Sequence, residues 1–353
     1  MGRTVRVVAE LRVTGEHGQL AIRRALIDSE QGEVAIVGIL SGGANNQVYR
    51  IRLGERDLVA KVYFRHANDR RDRLATEWAF TSYAWNLGLR ILPRPVAKFI
   101  EENVALYEYI AGRQLRHDEI DEGRVDEAVG FYVALNSMTG GPEARNLPTA
   151  SEACFSIEEH LACVDGRIAR LEHIDAVETV DSAARVFARS ELRPAWDRVR
   201  GDIFDAALKE RIDPGRVLDS EQRCLSPSDF GFHNSILGED GRLRFIDFEY
   251  AGWDDPARLV CDFFCQCKVP VPLRLMERFV RNCALPGSEA AAARVALLLP
   301  LYRLKWCCIL LNEFLPGAAD RRRFALGSAS PQARGEQLAK AREMLRLANV
   351  ALH

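Results

Sequence analysis

The sequence predicts an α+β fold in two parts, an amino-terminal antiparallel sheet with one packed helix and a larger helical region after it. Three observations predict this. Between residues 34 and 111, short apolar or alternating runs are separated by turn-prone loops, the period-2 signature of strands. From Gly112 onward, apolar residues recur at helical spacing in one segment after another. A chain of 353 residues is also long enough for two lobes, each with its own core.

Residues 1–33 precede the first sheet strand and read as a small extension, marked by the run 19–26. Residues 34–40 form an apolar run, 41–46 (Ser-Gly-Gly-Ala-Asn-Asn) a small turn-prone loop, and 47–53 an alternating strand. Two strands closed by such a loop bring backbone N–H groups close to phosphate oxygens. The next strand, 57–64, sets Lys61 inside an apolar run, where an ammonium is costly unless it reaches water or a partner. A helix-like stretch over 70–87 carries Glu77 among Leu74, Ala75, Trp78, Ala79 and Phe80, and a helix packed on the sheet aims it at Lys61. Residues 91–100 and 104–112 supply two more strands about the turn Glu101-Glu102-Asn103, with Gly112 suited to a hinge. Helical periods then recur at 125–138, 156–171, 182–189, 191–209, 273–283, 290–314 and 332–348.

The chemistry is concentrated further on. Asp229 is followed five residues later by Asn234, and Asp247 follows across an apolar strand, a turn at residues 238–241 and a returning strand. An amide oxygen and a carboxylate are hard ligands suited to a magnesium ion that also takes substrate phosphate oxygens. Antiparallel pairing is expected to set Asn234 beside Asp247, with Asp229 facing the same ion and orienting the proton of an attacking hydroxyl. The tripeptide Asp229-Phe-Gly231 matches the metal-binding signature of protein kinases, but spacing argues against that role. A catalytic Asp with Asn five residues on is then required one hairpin upstream, and residues 212–219 contain no Asn. The triplet Asp247-Phe-Glu249 fits the metal role better, with Glu249 where a protein kinase carries Gly.

With these parts in order, the chain resembles the aminoglycoside phosphotransferase and choline kinase group, relatives of protein kinases that phosphorylate small molecules. The resemblance rests on the loop 42–49, Val59-Ala-Lys61, Glu77, residues 107–112, Asp229 to Asn234, and residues 246–252. It implies a bilobal protein-kinase-like fold: a nucleotide-binding sheet lobe at 34–111, and a helical lobe at 112–353 with the catalytic loop, metal site and acceptor site. It implies that Ser41, Gly42, Gly43 and Asn45 cradle phosphates, that Lys61 holds them and Glu77 orients Lys61. Glu108, Tyr109 and Ile110 line the adenine slot. Asp229 serves the acceptor hydroxyl, and Asn234 and Asp247 bind metal. ATP, or GTP, and Mg2+ are the implied cofactors.

The chain departs from the family pattern at several points. Pro227-Ser228 stands where the family has His-Gly, residues 230–233 are bulky and aromatic, and the family's Asp-Pro-Ala-x-Asp run reads Asp255-Pro-Ala-Arg-Leu259. Asp262 is the expected substitute in bracing the catalytic loop, and His233 is expected to brace it too. No long activation segment ending in Ala-Pro-Glu follows Asp247, which speaks against a protein substrate. The expected function is phosphorylation of a small-molecule hydroxyl, on an amino sugar, sugar or choline-like alcohol. The alternative is a catalytically inactive, nucleotide-binding regulatory pseudokinase. Acidic residues Asp118, Glu119, Asp121 and Glu122, and the group Trp253, Tyr302, Trp306 and Glu313, are candidate acceptor contacts beside a plainer structural role.

Composition sets the outer limits. A net charge of −2 gives no general attraction to nucleic acid or anionic membrane, so neither is expected as a partner. Arg321-Arg-Arg323 reads as a solvated loop. The most apolar stretch, 290–311, is interrupted by Arg294, Pro300, Arg303 and Lys305, which favours a buried helix over a membrane span. Nine cysteines and no apolar leader lead to an expected cytoplasmic setting with free thiols.

Overall fold

The computed structural model describes residues 16–27, 34–40, 46–65, 71–315 and 331–348. They fall into two compact units. One takes in the described residues up to Arg113 together with Ile236–Tyr250, and the other Gln114–Ser235 and the described residues from Ala251 onward. The sequence assigned all residues after 111 to the helical part. Instead, the segment carrying Asp247 clusters with the sheet.

In the first unit, helix α1 (Glu16–Ile27) precedes a sheet of β1 (Val34–Leu40), β2 (Asn46–Leu53), β3 (Arg56–Tyr63), β4 (Pro95–Phe99) and β5 (Val104–Glu108). All neighbours are antiparallel and the spatial order is β1-β2-β3-β5-β4. The extension is thus part of this core: Ile22, Ala25 and Leu26 of α1 pack with Ile36, Tyr49, Ile51 and Leu106. Burying each Ile or Leu side chain among them contributes roughly 1.5–3 kcal/mol. Lys61 sits in the central strand, paired in register with Val48 on one side and Ala105 on the other.

Helix α2 (Arg73–Asn86) begins later than the apolar pattern suggests because Asp72 caps it, accepting from Ala75 N at 2.9 Å. Strand β4 is shorter than the expected 91–100 run, since Pro93 and Pro95 have no N–H to donate to a ladder. A second sheet orders β6 (Gly112–Arg113), β8 (Ser235–Gly238) and β9 (Leu243–Phe245) as β6-β8-β9. Gly112 lies opposite Gly238, and a Cβ there would meet Leu237 O at 2.4 Å. Close approach, not a hinge, requires the glycine. The predicted turn forms between β8 and β9, with Gly241 in the left-handed region at φ 75°.

The second unit is built on helices: α3 (Glu122–Asn136), α4 (Pro142–Arg145), α5 (Ile157–Leu171), α6 (Thr179–Phe187), α7 (Arg193–Lys209), α8 (Pro256–Cys265), α9 (Met276–Asn282), α10 (Ser288–Leu311) and α11 (Pro331–Ala348). A π-turn over Ala188–Leu192 joins α6 to α7. Helix α10 is the central rod, packed against α5, α7, α8 and α11. By length and composition it passes for a membrane span, yet most of its apolar window is buried inside the protein. The charges that interrupt it are satisfied there: Arg303 donates to Leu347 O, and Lys305 pairs with Asp262 at 3.0 Å. All nine cysteines are free thiols.

Two short strands, β7 (Cys224–Ser226) and β10 (Gly252–Asp254), pair antiparallel in this unit. Asn136, at the end of α3, donates to Leu225 O at 3.0 Å and accepts from Leu225 N at 2.8 Å. That side chain fixes β7 just upstream of Asp229.

Candidate active site

In the first unit the buried ammonium has its partners. Lys61 Nζ donates to Glu77 Oε2 at 2.6 Å and to Asp247 Oδ1. Glu77 is held from two further directions, by Tyr63 Oη at 2.9 Å and by the backbone N–H of Phe248 at 3.2 Å. The Phe248 ring packs on Phe80 of α2, with centroids 5.0 Å apart. Helix, central strand and the segment after β9 are therefore locked around one cation.

Burial opposes the charge on Lys61, but the carboxylates of Asp247, Glu77 and Glu249 outweigh it and hold the amine well above its usual range. Burial pushes the Glu77 carboxyl up, with Lys61 working against that rise. Tyr63 and Tyr107 are pushed well up by burial, so both hydroxyls stay protonated. A buried ion pair is weak evidence of stabilisation, because desolvation offsets most of the Coulombic gain. A lysine kept between two carboxylates at 6% exposure points to chemistry instead.

In the second unit, Asn234 lies five residues after Asp229 at the end of a single 3-10 turn, not in a strand, and the strand starts only at Ser235. Asn234 Nδ2 donates to Asp229 O at 3.0 Å and Oδ2 at 3.2 Å. His233 Nε2 lies 3.2 Å from Asp229 Oδ1. The Asp229 side chain is 37% exposed. Burial works against its charge, yet His233, Lys268 and Asn234 hold it below the ordinary carboxylate range.

The loop's aromatic residues are its anchors. Phe230 and Phe232 are buried against Phe263 of α8 at 5.2 and 5.4 Å, and Phe230 also meets Phe131 of α3. Asp262 touches this loop only through Arg258, whose Nε lies 3.4 Å from Asp262 Oδ2; its other partners are Lys305 and Trp306 Nε1 of α10. Arg258 reaches the loop directly, donating to Ser151 O at 2.8 Å and to Ser228 Oγ at 3.5 Å while pairing with Asp254.

One feature is only faintly signalled by residue type. Asp229 (φ 26°) and Asp247 (φ 70°) both adopt left-handed backbone, as does Ser228 (φ 51°). Non-glycine residues pay of order 1–3 kcal/mol for such conformations, which cluster at functional sites.

Residues 41–45, with Ser41, Gly42, Gly43 and Asn45, lie outside the described residues, as does Arg321-Arg-Arg323. Glu108, Tyr109 and Ile110 line a cavity of about 380 Å³ with Trp85, Arg90, Leu92, Arg244 and the β8–β9 turn. Lys61, Glu77 and Asp247 are not among the residues that line it. Among the candidate acidic contacts to an acceptor, Asp121 caps α3, Glu119 accepts from Arg116 N and Glu122 pairs with Arg278. Tyr302 is a core residue bonded to His160, and the Trp253 indole donates to Ala144 O.

The model of the phosphotransferase enzyme family matches residues 37–265, most of the span that carries these groups. The chain belongs to that family. No curated protein matches it. Among solved structures, a spectinomycin phosphotransferase in complex with ADP and spectinomycin is similar at TM-score 0.62 and 13% identity, over 95% of this chain and 98% of that one. The choline kinase LicA from Streptococcus pneumoniae is similar at TM-score 0.58 and 14% identity, over 94% and 99%. An ethanolamine kinase from Plasmodium vivax is similar at TM-score 0.57 and 12% identity, over 92% and 83%. The protein-kinase-like α+β fold is thereby shown, and the protein is a phosphotransferase.

Proposed function

We propose that the protein transfers the γ-phosphoryl group of ATP, with magnesium, to a hydroxyl group of a small molecule. The observation that carries this reading is the buried Lys61 ammonium held by Glu77 and Asp247 in a chain of this family. The donors suit the cation. Asn234 commits its Nδ2 to Asp229, which leaves its amide oxygen as the ligating atom, and Asp247 brings a carboxylate. Among the described residues no cluster of three Asp, Glu, His or Cys forms a metal cage by itself. Magnesium that takes its other oxygens from phosphates and water needs none.

When bound, magnesium neutralises phosphate charge. Lys61 binds phosphate oxygens, and Glu77 keeps it aimed. Asp229 accepts the proton of the acceptor hydroxyl as its oxygen bonds to phosphorus and ADP leaves. Positioning and fixed charge supply most of the rate in such a transfer. The solved relatives' spectinomycin, choline and ethanolamine support an amino sugar or amino alcohol as the first acceptors to try.

The test is a metabolite extract incubated with γ-labelled ATP and magnesium. Label is expected to appear in a small-molecule fraction with the native protein and to vanish with Asp229→Asn. Absence of both label transfer and ATP binding overturns the reading.

A further inference from the structure

Glu249, two residues after Asp247, is buried at 3% exposure, and phosphoryl transfer by Lys61, Asp229 and Asp247 gives it no role. Its Oε2 accepts from Asn46 Nδ2 at 2.5 Å. Asn46 Oδ1 accepts from the backbone N–H of Phe64 at 3.3 Å, and Phe64 O accepts from Arg73 Nη1 at 3.1 Å. Arg73 Nε lies 3.8 Å from the Glu249 carboxylate and closes the ring.

Each corner of this ring is a short step from a group assigned to phosphate or metal. Asn46 opens β2 directly after residues 41–45, and Phe64 follows the strand of Lys61. Arg73 lies one helical turn before Glu77 in α2, and Glu249 follows Asp247. A buried carboxylate survives only with hydrogen-bond and charge partners, so it fixes where those partners sit. Glycine, the residue that protein kinases carry at this point, offers no such tie.

We propose that Glu249 is a positioning residue for nucleotide binding, holding the start of β2, the end of β3, the first turn of α2 and the Asp247 segment in one register through Asn46 and Arg73. The proposal rests on the reading of Lys61 and Asp247 as the magnesium–nucleotide groups.

The experiment measures binding of Mg-ATP by calorimetry, with melting curves alongside, so that no acceptor is needed. Asn46→Asp sets two carboxylates against each other and is expected to weaken Mg-ATP binding by about tenfold or more. The exchanged pair Asn46→Asp/Glu249→Gln restores one hydrogen bond with donor and acceptor reversed, and is expected to recover binding to within about threefold of native. A merely structural contact lowers the melting temperature but leaves the folded protein's affinity unchanged. Native affinity in Asn46→Asp, or an exchanged pair no better than Asn46→Asp, overturns the proposal. Should Asn46→Asp not fold, Glu249→Gln decides, with an expected loss of about fivefold and native affinity as the contrary result. A native protein that does not bind Mg-ATP sinks the functional reading itself, a distinct outcome.

Discussion

The His233 imidazole meets the carboxylate of Asp229, Nε2 to Oδ1, at 3.2 Å. That contact comes from inside the loop, four residues on, while the position before Asp229 holds a serine bound by Arg258. His233→Ala frees one carboxylate oxygen of Asp229. Turnover with the acceptor is expected to fall by about tenfold to 10²-fold, with ATP affinity unchanged. Steady-state kinetics set beside calorimetry check both halves.

Asp229→Asn keeps the side-chain shape but cannot take a proton. Turnover is expected to drop by about 10²- to 10⁴-fold while Mg-ATP still binds. Full turnover with the true acceptor ends this assignment.

Lys61→Met leaves Glu77 and Asp247 facing each other without their shared cation. Removing one partner of a buried ion pair costs about 3–5 kcal/mol, so denaturant unfolding should shift by that order. Lys61→Met/Glu77→Gln should recover part of the loss, since one of the two carboxylate charges left without their cation is then gone.

His160 is buried between Asp255, which accepts from its Nε2 at 2.9 Å, and the Tyr302 hydroxyl 2.8 Å from its Nδ1. Burial depresses its pKa below the usual 6.5, so it stays neutral in the folded state. The unfolded chain takes up that proton first as pH falls. The stabilising contribution is therefore complete above about pH 6.5 and is lost as pH drops toward the lower folded value. Melting temperature against pH should show this acid slope in the native protein and a shallower one in His160→Gln.

Gly112→Ala forces a methyl group against Leu237 O. Overpacking of this sort costs typically about 1–3 kcal/mol. A native melting temperature for Gly112→Ala contradicts the close approach of β6 and β8.

Much of this architecture was legible because its signals are local. Apolar or alternating runs located β1, β2, β3 and β5, and helical spacing located α2 and most of the second unit. Lys61 and Glu77 were found because a charge in an apolar run demands a partner, and they are joined. Less was visible where the cause is tertiary. Phe230 and Phe232 look like an aberrant loop until Phe263 is seen beneath them. Asp262 has the expected spacing for a loop brace, but it acts through Arg258 and is shared with Lys305, far along the chain. The left-handed backbone at Asp229 and Asp247 is not fixed by residue type, since Asp enters that region more readily than most residues but does so at few of its positions. The ring through Glu249 joins positions as far apart as 46 and 249, beyond the reach of any periodicity.

Asn136 offers one donor and one acceptor to the two backbone groups of Leu225, much as a neighbouring strand does. A lone amide thus acts as a one-residue strand at the border of β7, and it belongs to a helix. The position of the chain entering Ser226 is referenced to α3, whose own start is fixed by Asp121. Sliding α3 along its axis by a fraction of a turn would pull the approach to Asp229 with it, so the helix serves as the ruler from which that loop is measured.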